Sequence, residues 1–212
     1  MRVSQKVLGM VGTNCYLLIH EETKEAVLVD PADQAGRIND WIRSEGCLLR
    51  AIYLTHGHFD HILAAEELRR NHQVPVCALE AEAGLLNDPV KNLTYQTGDG
   101  FGLVPDRLLR DGEELHYAGL DCKVIATPGH TAGSCCYYFE KEQVLVSGDT
   151  LFAEGVGRTD LPTGNTRQIL ASVRKLKDLP ASVQVLPGHG ESTTIGYEAQ
   201  YNPYLQEGRF GW

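Results

Sequence analysis

The chain has 212 residues and a formal net charge of −9, with 42% hydrophobic and 22% charged residues. That composition fits a soluble globular protein, and the length suits one ordinary domain or two small ones. The acidic balance argues against a nucleic-acid partner held through phosphates, and no apolar run is long enough to span a membrane.

The N-terminal stretch "MRVSQKVLGMVGTNCYLLIH" lacks the basic, apolar and small-residue order of a signal peptide and reads as mature protein. "CYLLIHEETKEAVLVDPA" predicts two strands joined by a charged hairpin, ending at Asp30-Pro31. "QAGRINDWIRSEG" predicts a helix, with Ile38, Trp41 and Ile42 at helical spacing and Gly46 as a stop. "LLRAIYLT" is a buried strand, and "ILAAEELRRNH" is a helix soon after it. "VPVCALEAEAGLL" predicts a strand and a short helix, and residues 87–111, rich in Gly, Asn, Asp and Pro, form the longest irregular stretch.

A second series follows the same plan. "LDCKVIATPGHTAG" is a strand and a Gly-His loop, and "SCCYYFEKEQVLVSGDT" is a hairpin ending in Gly148-Asp149. "NTRQILASVRKLKDL" is an amphipathic helix with Ile169, Val173 and Leu176 on one face. "VQVLPGHG" is again a strand and a Gly-His loop. Strands interleaved with helices in two similar halves suggest layered α/β packing. The six cysteines show no Cys-x-x-Cys pair and sit largely in strand-like runs. They read as buried free thiols in a reducing cytoplasm, with one of Cys135 and Cys136 expected in the core.

The chemistry concentrates in "THGHFDH". It sets His56, His58, Asp60 and His61 within six residues, although the whole chain has 8 histidines. Chance places that pattern in a chain of this composition about once in a thousand. Imidazole and carboxylate together form a ligand set for zinc, iron and manganese. His130, His189 and Asp149 share the setting, each following a glycine just past an apolar strand. His20, His72 and His116 do not, and read as surface residues. Seven ligands exceed the four of one tetrahedral ion and suit two ions sharing a carboxylate. The expected cofactors are two divalent transition-metal ions, zinc first, with iron or manganese as alternatives.

"THGHFDH" (55–61), "TPGHTAGS" (127–134), "SGDTLF" (147–152) and "PGHG" (187–190), in this order, resemble the metallo-β-lactamase superfamily. The resemblance implies an α+β fold, a four-layer αββα sandwich forming a single domain over residues 1–212, with the site at one rim. It also implies the ligand roles: His56, His58 and His130 on one metal, Asp60, His61 and His189 on the other, and Asp149 bridging.

Within the superfamily, "GDTLFAEGVGRTDLPTGN" (148–165) and "TTIGYEAQYNPYL" (193–205) resemble the glyoxalase II-like hydrolases of the short bacterial branch. They resemble the persulfide dioxygenases almost as well. Zinc β-lactamases of the common class carry cysteine where Asp149 stands.

The expected activity is therefore dinuclear hydrolysis of a hydroxyacyl thioester, a small-molecule substrate, with Asp60 and Asp149 orienting the attacking water. Two alternatives remain open: a mononuclear iron oxygenase acting on persulfides, and a non-catalytic metal-binding or sensing module. Asp30 is a candidate partner for a ligand or a plain turn residue. Arg158 is a candidate fork for a substrate anion or a loop partner of Asp160. Tyr95 and Phe101 lie in the 87–111 stretch as lid residues or core anchors. The chain's oligomeric state is not legible in these features.

Overall fold

A computed structural model describes residues 1–206. Residues 207–212 of the expected domain lie outside the described residues. The first half runs β1 (Arg2–Leu8), β2 (Thr13–Ile19), β3 (Glu25–Val29), α1 (Ala35–Ser44), β4 (Leu48–Tyr53), α2 (Phe59–Ile62), α3 (Ala65–His72), β5 (Val76–Leu79), α4 (Ala83–Leu86) and β6 (Arg107–Leu109). The second half runs β7 (Glu114–Tyr117), β8 (Leu120–Ala126), β9 (Cys135–Phe139), β10 (Val144–Gly148), β11 (Leu151–Phe152), β12 (Gly155–Val156), α5 (Thr166–Leu176), β13 (Gln184–Pro187), β14 (Thr193–Thr194) and α6 (Ile195–Tyr201).

Each half builds one six-stranded mixed sheet, in the orders β1-β2-β3-β4-β5-β6 and β14-β13-β10-β9-β8-β7. Side chains alternate across a strand, and here both faces are apolar. In β2, Tyr16 and Leu18 face the second sheet while Cys15, Leu17 and Ile19 face the helices. In β9, Cys135, Tyr137 and Phe139 lie between the sheets, while Cys136 and Tyr138 pack toward α5. Three apolar layers result. One joins α1 and α3 to the first sheet through Ile38, Trp41, Ile42 and Leu68. One lies between the sheets, and one joins α5 and α6 to the second sheet through Val173, Leu176 and Ile195. This is the expected αββα sandwich. Burying each large aliphatic or aromatic side chain contributes about 1.5–3 kcal/mol, so these layers dominate the stability.

Several elements differ from the sequence expectation. The 87–111 stretch holds a short helical turn at Thr94–Thr97 and ends in β6, which pairs parallel to β5 through Cys77–Arg107 and Leu79–Leu109. Phe101 anchors to the first apolar layer, whereas Tyr95 is exposed. Both thiols of Cys135-Cys136 are fully buried, because β9 has an apolar layer on each face.

Strand direction creates the functional rim. β10 and β13 are parallel, and β8 and β10 both run antiparallel to β9. The C-terminal ends of β8, β10 and β13 therefore emerge at one edge. The end of β4 in the first sheet meets them there: Cys135 N–H donates to Thr55 O at 2.8 Å, and Tyr137 Oη donates to Leu54 O at 2.8 Å.

Candidate metal centre

His56, His58, Asp60 and His61 follow β4, His130 follows β8, Asp149 follows β10 and His189 follows β13. The rim draws all seven together. His56, His58 and His130 form one group of potential ligands, and Asp60, His61 and His189 form another. Within each group the ligating atoms lie within 4.8 Å of one another. Asp149 faces both: Oδ2 is 3.5 Å from His130 Nε2 and 3.6 Å from His189 Nε2, and Oδ1 is 3.6 Å from His61 Nε2. Asp60 Oδ2 lies 3.2 Å from His189 Nε2 and 3.4 Å from His61 Nε2. His58 Nδ1 is 2.9 Å from His130 Nε2.

Hydrogen bonds behind the histidines fix which nitrogen faces inward. His130 Nδ1 is 2.8 Å from the Arg158 carbonyl, which can only accept, so Nδ1 carries the proton and Nε2 presents a lone pair. His61 Nδ1–H donates in the same way to Asp30 Oδ2 at 2.8 Å. Thr55 Oγ1 donates to Asp30 Oδ2 at 2.6 Å and lies 3.2 Å from His56 Nδ1. With its proton committed to Asp30, that hydroxyl accepts from His56. Asp30 thus orients two histidines through one buried carboxylate, which is how ligand imidazoles are held in metal sites.

The centre is suited to a cation. Among the described residues, His56 Nε2, His58 Nε2, His61 Nε2 and Asp149 Oδ1 are buried without a hydrogen-bond partner, a costly arrangement unless something fills it. Burial and the neighbouring imidazoles push His58 down to about 3, and His56 is also held well below the ordinary histidine value. Burial likewise disfavours charge on His61, but Asp60, Asp30 and Asp149 outweigh it and push His61 up to about 10. Burial opposes ionisation of Asp60, yet His61, His189 and Thr13 keep it below the usual carboxylate range. His56 and His58, held neutral, offer lone pairs at once, whereas His61 would give up a proton as a metal binds against the carboxylates, and such imidazole and carboxylate donors are the set that divalent metals require. The backbone leaves room for little else: a Cβ at Gly188 would meet Asp149 Oδ1 at 2.1 Å and His61 Cε1 at 2.8 Å.

Sequence reasoning did not single out Thr13, Asn14, Thr55 or Glu82. Thr13 Oγ1 donates to Asp60 Oδ2 at 2.7 Å. Asn14 Nδ2 donates to the carbonyls of Pro187 and Gly190, holding the His189 loop. Thr55 directly precedes the histidine cluster and was within reach as a signal; a polar pair opening β2 carries none. Arg158 places its carbonyl behind His130, but its guanidinium makes a two-pronged pair with Asp160, both bonds 2.7 Å, with both side chains exposed.

The sequence matches the metallo-β-lactamase superfamily over residues 8–189. The chain belongs to that superfamily. A hydroxyacylglutathione hydrolase, GloC, of Haemophilus influenzae is 34% identical over 91% of this chain and 92% of its own length. The crystal structure of BLEG-1, a B3 metallo-β-lactamase, is 39% identical, with a TM-score of 0.90 over 96% of this chain and 99% of its own. The di-iron-bound form of TTHA1623 is 34% identical, with a TM-score of 0.86 over 96% of this chain and 100% of its own. The fold and the superfamily are therefore shared with these proteins. Among the described residues no helix is long and apolar enough to cross a membrane.

Proposed function

We propose that the protein is a dinuclear metal-dependent thioesterase acting on hydroxyacyl thioesters of small thiols in the cytoplasm. The observation that carries this is the position of Asp149 between the two ligand groups, 3.5 Å from His130 and 3.6 Å from both His61 and His189. One carboxylate facing both groups favours a pair of ions over a single one. Similarity to GloC supports the thioester class, and the di-iron form of TTHA1623 supports two ions. Zinc is the first expectation, with iron or manganese compatible with the same donors.

When bound, two divalent ions would supply an activated water at neutral pH and polarise the substrate carbonyl. The chain's own residues do the rest. His56, His58 and His130 would hold one ion, and Asp60, His61 and His189 the other, with Asp149 shared. Asp60, fixed by Thr13, would orient the attacking water together with Asp149. Asp30 keeps His56 and His61 in the tautomers that present Nε2. No cysteine competes as nucleophile: five are buried in the three apolar layers, and Cys47, half-buried, packs against the first layer just before β4, at the strand end opposite the rim.

The test is metal stoichiometry together with assays on a hydroxyacyl thioester, a persulfide and a β-lactam. Close to two ions per chain, with thioesterase activity lost on chelation and restored by metal, is the expected result. A fully active protein holding one iron and consuming oxygen on the persulfide would replace this reading with an oxygenase.

A further inference from the structure

Glu82 is fully buried in a short helical turn after β5, and among the described residues no cationic side chain pairs with its carboxylate. Its carboxylate accepts three hydrogen bonds from two separate loops. Oε1 accepts from Gly57 N–H at 2.8 Å, between His56 and His58. Oε2 accepts from Gly133 N–H at 2.8 Å and from Thr131 Oγ1 at 3.0 Å, immediately after His130. The three histidines of one ligand group come from opposite sheets, and Glu82 is bonded to both loops that carry them.

The packing shows how tightly the loops are drawn in. A Cβ at Gly133 would meet Glu82 N at 2.2 Å, and a Cβ at Gly57 would meet Leu85 Cδ2 at 2.7 Å. The two loops rest directly on the turn that contains Glu82 and on α4, which follows it. A buried carboxylate compensated only by dipoles is expensive to place, and burial raises its tendency to take up a proton. An apolar residue would fill the volume but leave two N–H groups unpaired.

We propose that Glu82 is a positioning residue that sets the spacing between the His56/His58 loop and the His130 loop, and thereby the metal affinity of the three-histidine group. This rests on the reading that the group holds metal. Glu82 touches no proposed ligand side chain, so it acts only through the two loops.

Glu82→Gln is the informative change, because it keeps shape while turning one acceptor into a donor. Whichever way the amide turns, its NH2 opposes a backbone N–H. Chelator competition with zinc on the full chain yields two successive dissociation constants. In Glu82→Gln one constant is expected to weaken about tenfold to a hundredfold, the usual effect of losing a residue that supports ligands, while the other moves less than about threefold. Thr131→Val removes one of the three donors and keeps both N–H bonds. It should shift the same constant in the same direction by less, and it decides the matter if Glu82→Gln does not fold. Unchanged constants in the folded variant, or equal weakening of both, would overturn the proposal and leave Glu82 as a packing residue. If the unaltered protein binds no metal, the functional reading itself fails, a result distinct from unchanged constants in the variant.

Discussion

At the scale of single residues, Arg158 shows how one side chain can serve through two different groups. Its carbonyl fixes the His130 tautomer, a role any residue could fill by backbone alone. Its guanidinium is engaged by Asp160, and an exposed pair of this kind contributes little to stability. We propose that a substrate carboxylate displaces Asp160 at small cost and gains the same planar fork. Arg158→Ala should lower kcat/KM about tenfold to a hundredfold on an anionic thioester and leave a neutral analogue nearly unaffected. Asp160→Ala, which releases the fork, should raise kcat/KM on the anionic substrate. Equal losses on both substrates in Arg158→Ala would mean that the side chain only braces the loop.

At the scale of elements, Asp30 ties three together. It directly follows β3, its Oδ1 accepts from the Thr55 N–H past β4 at 2.8 Å, and its Oδ2 receives His61 from α2. The price is a left-handed backbone at φ 49°, which Asp tolerates better than most residues. In Asp30→Asn one of these acceptors becomes a donor, so a buried bond is lost, at about 1–3 kcal/mol. The pH dependence carries a definite sign. His61 is raised from its ordinary value to about 10 in the metal-free fold, burial opposing and Asp60, Asp30 and Asp149 prevailing. That contribution is complete below about 6.5, the unfolded value, and disappears as pH rises through about 10. Removing one carboxylate lowers the folded value, so Asp30→Asn should lose less stability than the unaltered chain between those limits. Urea midpoints of the chelated proteins at pH 6.5 and 10 measure it, and identical falls in both would sink the assignment of Asp30 as a partner of His61.

The same elements show what the sequence could disclose. β2, β3, α1, β8 to β10, α5 and β13 carry strong apolar periodicity and glycine stops, and each lies where its pattern predicts. β1 escaped notice because an edge strand reading "RVSQKVL" is mostly polar and only partly buried. β11, β12 and β14, of two residues each, have no periodicity to detect. The seven proposed ligands were legible because five are histidines, a scarce residue type, and all seven lie just past an apolar strand. Glu82 was not, because "EAEAGLL" looks like the exposed start of a helix. Its burial comes from Gly57 and Gly133, distant in sequence, closing onto it.

At the scale of the whole molecule, the centre lies where the two sheets meet. His56, His58, Asp60 and His61 belong to loops of the first sheet, and His130, Asp149 and His189 to loops of the second. Each proposed ion would thus take ligands from both sheets, a set of donors that the unfolded chain does not hold together. Ions that bind the native state alone stabilise it by mass action, about 2.7 kcal/mol each at a hundred times the dissociation constant. For a domain of this size that corresponds to a rise in Tm of about 5–10 °C per ion. Thermal melts in chelator and at rising zinc concentration should show this shift and its logarithmic growth. His130→Ala removes the second-sheet histidine of one group and should erase about half of the rise, leaving the other ion's share. A protein that carries two ions yet melts at the same temperature with and without them would show that the metals do not staple the sheets. The linkage between the two halves would then rest on the apolar layer between them and on the rim hydrogen bonds of Thr55 and Leu54.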